Sequence, residues 1–167
     1  MRKIPQILII ILITAMYTGC FSKSSVTMQP VEILIPDSMY DEGYIFAVTK
    51  DGTMNVKSGN LFTMDDIYAN SYESKNKKLS FSRKKELNNL IAEVKKNKEP
   101  ISAEPCINDA ITILVRIDGV DYWSVLGNPS DYRGLSNEYV DENVVHLATT
   151  VIELSPFKMP GLKQHIY

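Results

Sequence analysis

Residues 110–126 read AITILVRIDGVDYWSVL, and this stretch decides the fold class. Along 110–117, successive side chains of an extended chain point to opposite faces, with isoleucines and valine on one side and Thr112, Leu114 and Arg116 on the other. Asp118-Gly119 separates this run from a second one, Val120–Leu126. Because an Asp-Gly pair accepts positive φ, the stretch predicts an antiparallel β-hairpin.

A second hairpin is predicted earlier in the chain. Gly43–Thr49 and Thr53–Ser58 flank Lys50-Asp51-Gly52, again an Asp-Gly pair between apolar-patterned runs. Val31–Pro36 predicts a first strand that ends at a proline. Residues 60–80 are polar and without a clear period, which favours a long loop.

Two amphipathic helices complete the pattern. Ser82 is the expected cap of a helix that runs to about Lys98, with one apolar stripe of Leu87, Leu90, Ile91 and Val94. Asn137 is the expected cap of a last helix, whose apolar side holds Val140, Val144, Leu147, Ala148 and Val151. The prediction is a single α+β domain over 31–167, with an antiparallel sheet from two β-hairpins and both helices on one face.

This element order resembles small bacterial domains with two hairpin–helix units, among them the emfourin-type inhibitors of secreted metalloproteases. The resemblance covers roughly 43–153 and includes KLSFSRKKELNNLI after a hairpin. It implies an inhibitor of an extracellular or periplasmic enzyme, and it transfers no functional residue.

The chain begins with the pattern of an export signal. Arg2 and Lys3 precede the apolar run ILIIILITAM at 7–16, and small residues follow. A helix over residues 4–16 is about 20 Å long, against a hydrocarbon core of roughly 30 Å. We therefore expect a cleaved secretory signal peptide over 1–19 in place of a membrane span.

Residues 17–20, YTGC, resemble the lipobox of bacterial lipoproteins, although Tyr17 stands where leucine is usual. The resemblance implies cleavage between Gly19 and Cys20 and diacylglyceryl and palmitate-type chains on Cys20. Two acyl chains anchor a protein stably, whereas one binds only marginally. Residues 20–30 then form a lipidated tether. Phe21, where aspartate marks inner-membrane retention in many bacteria with two membranes, favours the outer membrane in such a cell.

Charge is concentrated in one part of the chain. The whole chain carries −2, but residues 75–98 hold nine Lys or Arg and two Glu. This block is consistent with contact to anionic lipid headgroups, whereas a solvated helix face with its flanks is what such a run of charges usually is. A nucleic-acid partner is not expected, because the block lacks interleaved aromatic residues and the chain is exported.

Residues for catalysis or metal binding are sparse. Cys106 is alone once Cys20 is acylated, and burial is the usual state of such a thiol. His146 and His165 are the only histidines, so closely spaced zinc ligands are missing. We expect no enzyme, no metal and no cofactor; a small hydrolase whose carboxylates meet in space stays the second alternative.

Aromatic and arginine side chains suggest a contact surface. Tyr122 and Trp123 are consecutive in a predicted strand, so one ring faces each side of the sheet. Tyr132 and Arg133 follow closely, and these residue types dominate protein-binding hot spots. The alternative is that Trp123 packs in the core and Tyr122 covers the sheet edge.

The functional prediction is an extracytoplasmic, lipid-anchored binding or accessory module on the cell membrane or outer membrane, with the bilayer and an envelope or secreted protein as partners.

Overall fold

The computed structural model describes residues 26–37, 42–60, 73–101, 111–126 and 139–158. Within these ranges the chain forms six strands and two helices, and the fold class is α+β. In chain order the elements are β1 Val31–Asp37, β2 Glu42–Val48, β3 Thr53–Asn60, β4 Glu73–Lys78, α1 Phe81–Val94, β5 Ile111–Ile117, β6 Val120–Leu126 and α2 Glu142–Leu154.

The strands form one antiparallel sheet in the order β4-β3-β2-β1-β5-β6. β1 lies between β2 and β5, with Val31 opposite Val48 and Glu32 opposite Arg116. The predicted loop over 60–80 was wrong for residues 73–78, which form the edge strand β4. Every β4 side chain is exposed. An edge strand with no buried face shows no apolar alternation, so the sequence gives no sign of it.

The two Asp-Gly turns differ in geometry. Ile117 pairs with Val120, and both residues between them have positive φ, 53° at Asp118 and 79° at Gly119, as in a two-residue type I′ turn. In the other turn, Val48 pairs with Met54 and only Gly52, at φ 80°, has positive φ. Its amide donates to the carbonyl of Thr49 at 2.8 Å. The expectation that both residues of Asp51-Gly52 adopt positive φ was therefore wrong, because the loop is one residue longer.

Alternating strand residues and the apolar stripes of both helices form the main buried cluster. It contains Ile33 and Ile35 of β1, and Ile113 and Val115 of β5. From the helices it takes Leu87, Ile91, Val94, Val144, Leu147, Ala148 and Val151. Burial of one such side chain contributes about 1.5–3 kcal/mol, so this cluster dominates the stability of the domain.

Both helices begin elsewhere than expected. Ser80 caps α1, since its side chain accepts from the amide of Arg83 at 3.4 Å; the predicted cap, Ser82, lies inside the helix. The helix ends at Val94, before the predicted Lys98. Asp141 caps α2 by accepting from the amides of Asn143 and Val144. The predicted cap Asn137 lies outside the described residues. Neither described helix is long and apolar enough to cross a bilayer.

Candidate functional site

Residues 26–30, which we call the entry segment, bring the chain from the Cys20 side onto the folded domain. The Asn88 side chain of α1 holds them from both directions: its Nδ2 donates to the carbonyl of Thr27 at 2.9 Å, and its Oδ1 accepts from the amide of Gln29 at 2.8 Å. Between them, the Met28 amide donates to the carbonyl of Lys50, and the Met28 side chain is buried. The sequence assigned these residues to the tether, but their contacts belong to the domain.

Both Asp-Gly turns lie at the same end of the sheet as the entry segment. β2 and β5 are each antiparallel to β1, so the residues that end them flank the start of β1. The Gln29 Nε2 donates to Asp118 Oδ2 at 2.8 Å, which ties the entry segment to the β5–β6 turn. We call the two turns together with the entry segment the turn end.

Helix α1 runs from one turn to the other. Near its start, Lys84 Nζ donates to the carbonyl of Asp51 at 2.8 Å. Just beyond its last residue, Lys95 Nζ pairs with Asp118 Oδ2 at 2.7 Å. The helix therefore borders the turn end along its length.

The carboxylates of the turns are held ionised by their neighbours. Lys78 Nζ lies 2.5 Å from Asp51 Oδ2. Its hydrogen bond, followed by those from Thr49 and Thr53, holds the pKa of Asp51 well below the ordinary range. The hydrogen bond from Lys95 lowers the pKa of Asp118 in the same way. These acids are partners of structural lysines, so they offer no free general acid or base.

One side of α1 carries lysines and no acidic residue. At about 100° per residue, Phe81, Lys84, Lys85 and Asn88 lie on one arc of α1; together with Lys95 and Lys96, which directly follow the helix, they form what we call the basic flank. The acidic residues lie beyond this arc: Glu86 pairs with Arg83 at 2.7 Å, and Glu93 pairs with Lys96 at 2.7 Å. The entry segment is therefore attached to the middle of the basic flank.

The basic flank and the turns keep a positive balance after their ion pairs are counted. The flank and turns hold five lysines, Lys50, Lys84, Lys85, Lys95 and Lys96, and two acidic residues, Asp51 and Asp118. With their ion-pair partners Lys78 and Glu93 included, six lysines oppose three acidic residues. The same region holds the two exposed large apolar side chains of the described residues, Phe81 at 53% and Val120 at 46%. The sequence does not show that these lysines and apolar side chains lie in one region, because Val120 and Phe81 are far apart along the chain.

The predicted aromatic pair is divided between the two faces of the sheet. Tyr122 belongs to the main cluster and is 6% exposed. Trp123 is partly buried on the opposite face against Leu34, Ile45 and Leu114, and these four residues are paired side by side across β6, β5, β1 and β2. Only Trp123 of this pair presents part of its ring to solvent. A partner-binding role of these residues stays a prediction, and Tyr132 and Arg133 lie outside the described residues.

A groove of about 510 Å³ separates the C-terminal end of α1 from the start of α2. Glu93, Glu99 and Glu142 are among its lining residues, together with Asp141. Asp141 caps α2 and accepts from Asn97 Nδ2 at 2.7 Å, so its carboxylate joins α2 to the segment that follows α1. We therefore interpret this groove as a structural junction between the two helical segments and not as a ligand site.

The remaining candidates for chemistry do not come together in the described part of the chain. His146 is exposed on α2. Cys20, Gly19, Cys106 and His165 lie outside the described residues. No group of three His, Cys, Asp or Glu side chains within the described ranges could hold a metal ion.

Comparison with known proteins gives no relative for this chain. No family model, no curated protein and no solved structure matches it. Its function has to be inferred from its own residues.

Proposed function

We propose that this chain is a bacterial lipoprotein, anchored to the cell membrane or outer membrane by acyl chains on Cys20. In this position it acts as a non-catalytic binding or accessory module on the extracytoplasmic side. The observation that carries the proposal is the order of residues at the start: Arg2 and Lys3, the apolar run at 7–16, and Thr18-Gly19-Cys20. The ordered contacts from Thr27 onward support it, because a folded body begins soon after the attachment point.

The proposal includes the detailed architecture of that body. Two hairpins, β2 with β3 and β5 with β6, form most of the sheet, and two amphipathic helices cover one face. The registers of these strand pairs support it, as does the buried cluster that both helices share with the strands. A compact module of this kind presents surfaces to a partner without needing a cleft.

The test of the anchor uses the two cysteines of the chain as a matched pair. Wild type, Cys20→Ser and Cys106→Ser are expressed in a bacterium supplied with labelled palmitate. We expect wild type and Cys106→Ser to take up label, to fractionate with membranes and to begin at an acylated Cys20 by mass. Cys20→Ser is expected to stay unlabelled. A wild-type chain that retains Met1 and carries no acyl mass refutes the proposal.

An inhibitor of an extracellular or periplasmic enzyme is the second candidate, on the basis of the element order resembling emfourin-type domains. An inhibitor needs an exposed contact, and Val120 in the β5–β6 turn, 46% exposed, offers an apolar one. Co-purification from envelope extracts separates the candidates. A stoichiometric protease partner, released by Val120→Ser and retained by Lys158→Ser, favours inhibition. Substrate turnover that one Asp or Glu substitution abolishes contradicts both binding functions and favours the hydrolase.

A further inference from the structure

The distance from the proposed anchor to the folded domain is short. Six Cα–Cα steps join Cys20 to Val26, and a fully extended chain covers at most about 3.6 Å per residue, or roughly 22 Å. The next residue, Thr27, is already bonded to Asn88. Whatever path residues 21–25 take, the Cα of Thr27, which contacts Asn88 in the middle of the basic flank, lies within about 25 Å of the Cα of Cys20.

Both ends of the basic flank lie close to Asn88, where the entry segment is attached. Phe81 is seven residues before Asn88, and Lys96 is eight after it. At 1.5 Å per residue, each end of the flank lies about 10–12 Å along the helix axis from the point where the entry segment attaches. The surface closest to the anchor along the chain is therefore also the lysine-rich one.

The chemistry of this surface fits an anionic bilayer. A lysine near a negatively charged leaflet gains up to about 1 kcal/mol, and the net charge of the flank and turns is positive. Lys85 is exposed, and no acidic partner lies against it among the described residues. Phe81, 53% exposed beside it, and Val120, 46% exposed in the β5–β6 turn, supply apolar groups of the kind that enter the headgroup region.

We propose that the basic flank of α1 and the turn end rest on the bilayer that holds Cys20, with their lysines on anionic lipid headgroups. This inference rests on the proposed lipid anchor and adds an orientation to it. The sheet edge at β4 and the face that carries Trp123 are then left free for a protein partner. The domain then has one fixed orientation relative to the bilayer and does not rotate freely about its lipid anchor.

The test measures the orientation of the acylated full-length mature protein purified from membranes. The protein is reconstituted into vesicles of phosphatidylcholine alone or of an equal mixture with phosphatidylglycerol. Flotation and intact mass first establish that the chain is anchored. A water-soluble amine reagent then labels accessible lysines, which are quantified by mass spectrometry, with exposed Lys158 as the internal reference.

On anionic vesicles we expect Lys85 to be labelled about fivefold less than in detergent micelles, which corresponds to about 1 kcal/mol per lysine. The labelling of Lys158 stays unchanged.

A pair of variants tests whether the charge causes the orientation. Lys85→Gln is expected to weaken the protection of Lys50 and Lys96 on anionic vesicles, whereas Lys158→Gln leaves it as in wild type. Equal labelling of Lys85 and Lys158 in a chain that floats with the vesicles overturns this inference alone. Protection that is the same on neutral and anionic vesicles also overturns it, since headgroup charge then plays no part. A chain that neither floats nor carries acyl mass overturns the anchor, and the inference with it.

Discussion

Asn88 is the residue that fixes the entry segment to the domain, and replacing it with alanine tests that role. Asn88→Ala removes two hydrogen bonds, the 2.9 Å bond to the carbonyl of Thr27 and the 2.8 Å bond from the amide of Gln29. Each neutral hydrogen bond contributes about 0.5–1.5 kcal/mol net, and partial exposure of the pair favours the lower half of that range. We expect Asn88→Ala to be about 1–2 kcal/mol less stable than a variant with the same change in helix propensity and both bonds intact.

The adjacent Asn89 provides the control. It is exposed on the same helix, so Asn89→Ala brings the same change in helix propensity, up to about 0.7 kcal/mol in favour of alanine, without removing either bond. The difference between the two variants isolates the contacts to the entry segment. Both are made in the unacylated chain of residues 20–167 carrying Cys20→Ser.

Two measurements report the effect. Urea unfolding followed by Trp123 fluorescence gives the free energy of unfolding, and hydrogen exchange of the Gln29 amide reports local opening of the entry segment. In Asn88→Ala we expect that amide to exchange about fivefold faster or more, since it loses its acceptor. Equal unfolding free energies for the two variants, together with unchanged exchange at Gln29, refute the reasoning that Asn88 holds this segment.

Three further outcomes follow from the fold. Gly119→Ala places a Cβ in open space but at φ 79°, so we expect a loss of about 1–2 kcal/mol from backbone strain alone, measured by urea unfolding; an unchanged midpoint contradicts this. Ile91→Ala, at a fully buried position, is expected to lower stability by about 2–5 kcal/mol and Ile91→Val by about 0.5–1.5 kcal/mol, and similar losses for both argue against tight packing there. The folded-state pKa of Asp51 lies below its unfolded value of about 3.9, so its stabilisation is present above that pH and is lost as the pH falls through the folded pKa. Asp51→Asn is therefore expected to be less stable than wild type at neutral pH and to show a smaller drop in urea midpoint on going to about pH 3, whereas parallel pH profiles exclude this role.

The proposed orientation on the bilayer also indicates which surface remains available to a protein partner. Trp123 and the Arg116–Asp121 pair, which is bidentate at 2.6 and 2.9 Å, belong to the sheet face opposite the two helices. A partly exposed tryptophan beside a charged pair has the composition of a contact surface. Removal of the tryptophan ring is consequently the first change to make once a partner is captured.

The sequence by itself determined the features that depend on neighbouring residues. Asp118-Gly119 specified a tight turn, the spacing of Leu87, Ile91 and Val94 specified an amphipathic helix, and together with the alternation along β5 they gave the α+β class. At Asp51-Gly52 the same dipeptide did not fix the length or the backbone geometry of the turn. Periodicity and turn chemistry act over a few residues, so they can be read directly from the chain.

Only the tertiary structure decided which distant residues meet. β1 lies between β2 and β5, and the polar β4 joins the sheet edge, because backbone pairing does not require an apolar pattern. Asn88 bonds Thr27 from 61 residues away, and Lys84 and Lys95 reach turns that are 33 and 23 residues distant. These contacts gather the entry segment, the lysines and two exposed apolar side chains at one end of the domain. Such a surface arises from the strand order and the direction of α1. Burial of the whole core determines both, and no short-range sequence pattern specifies them.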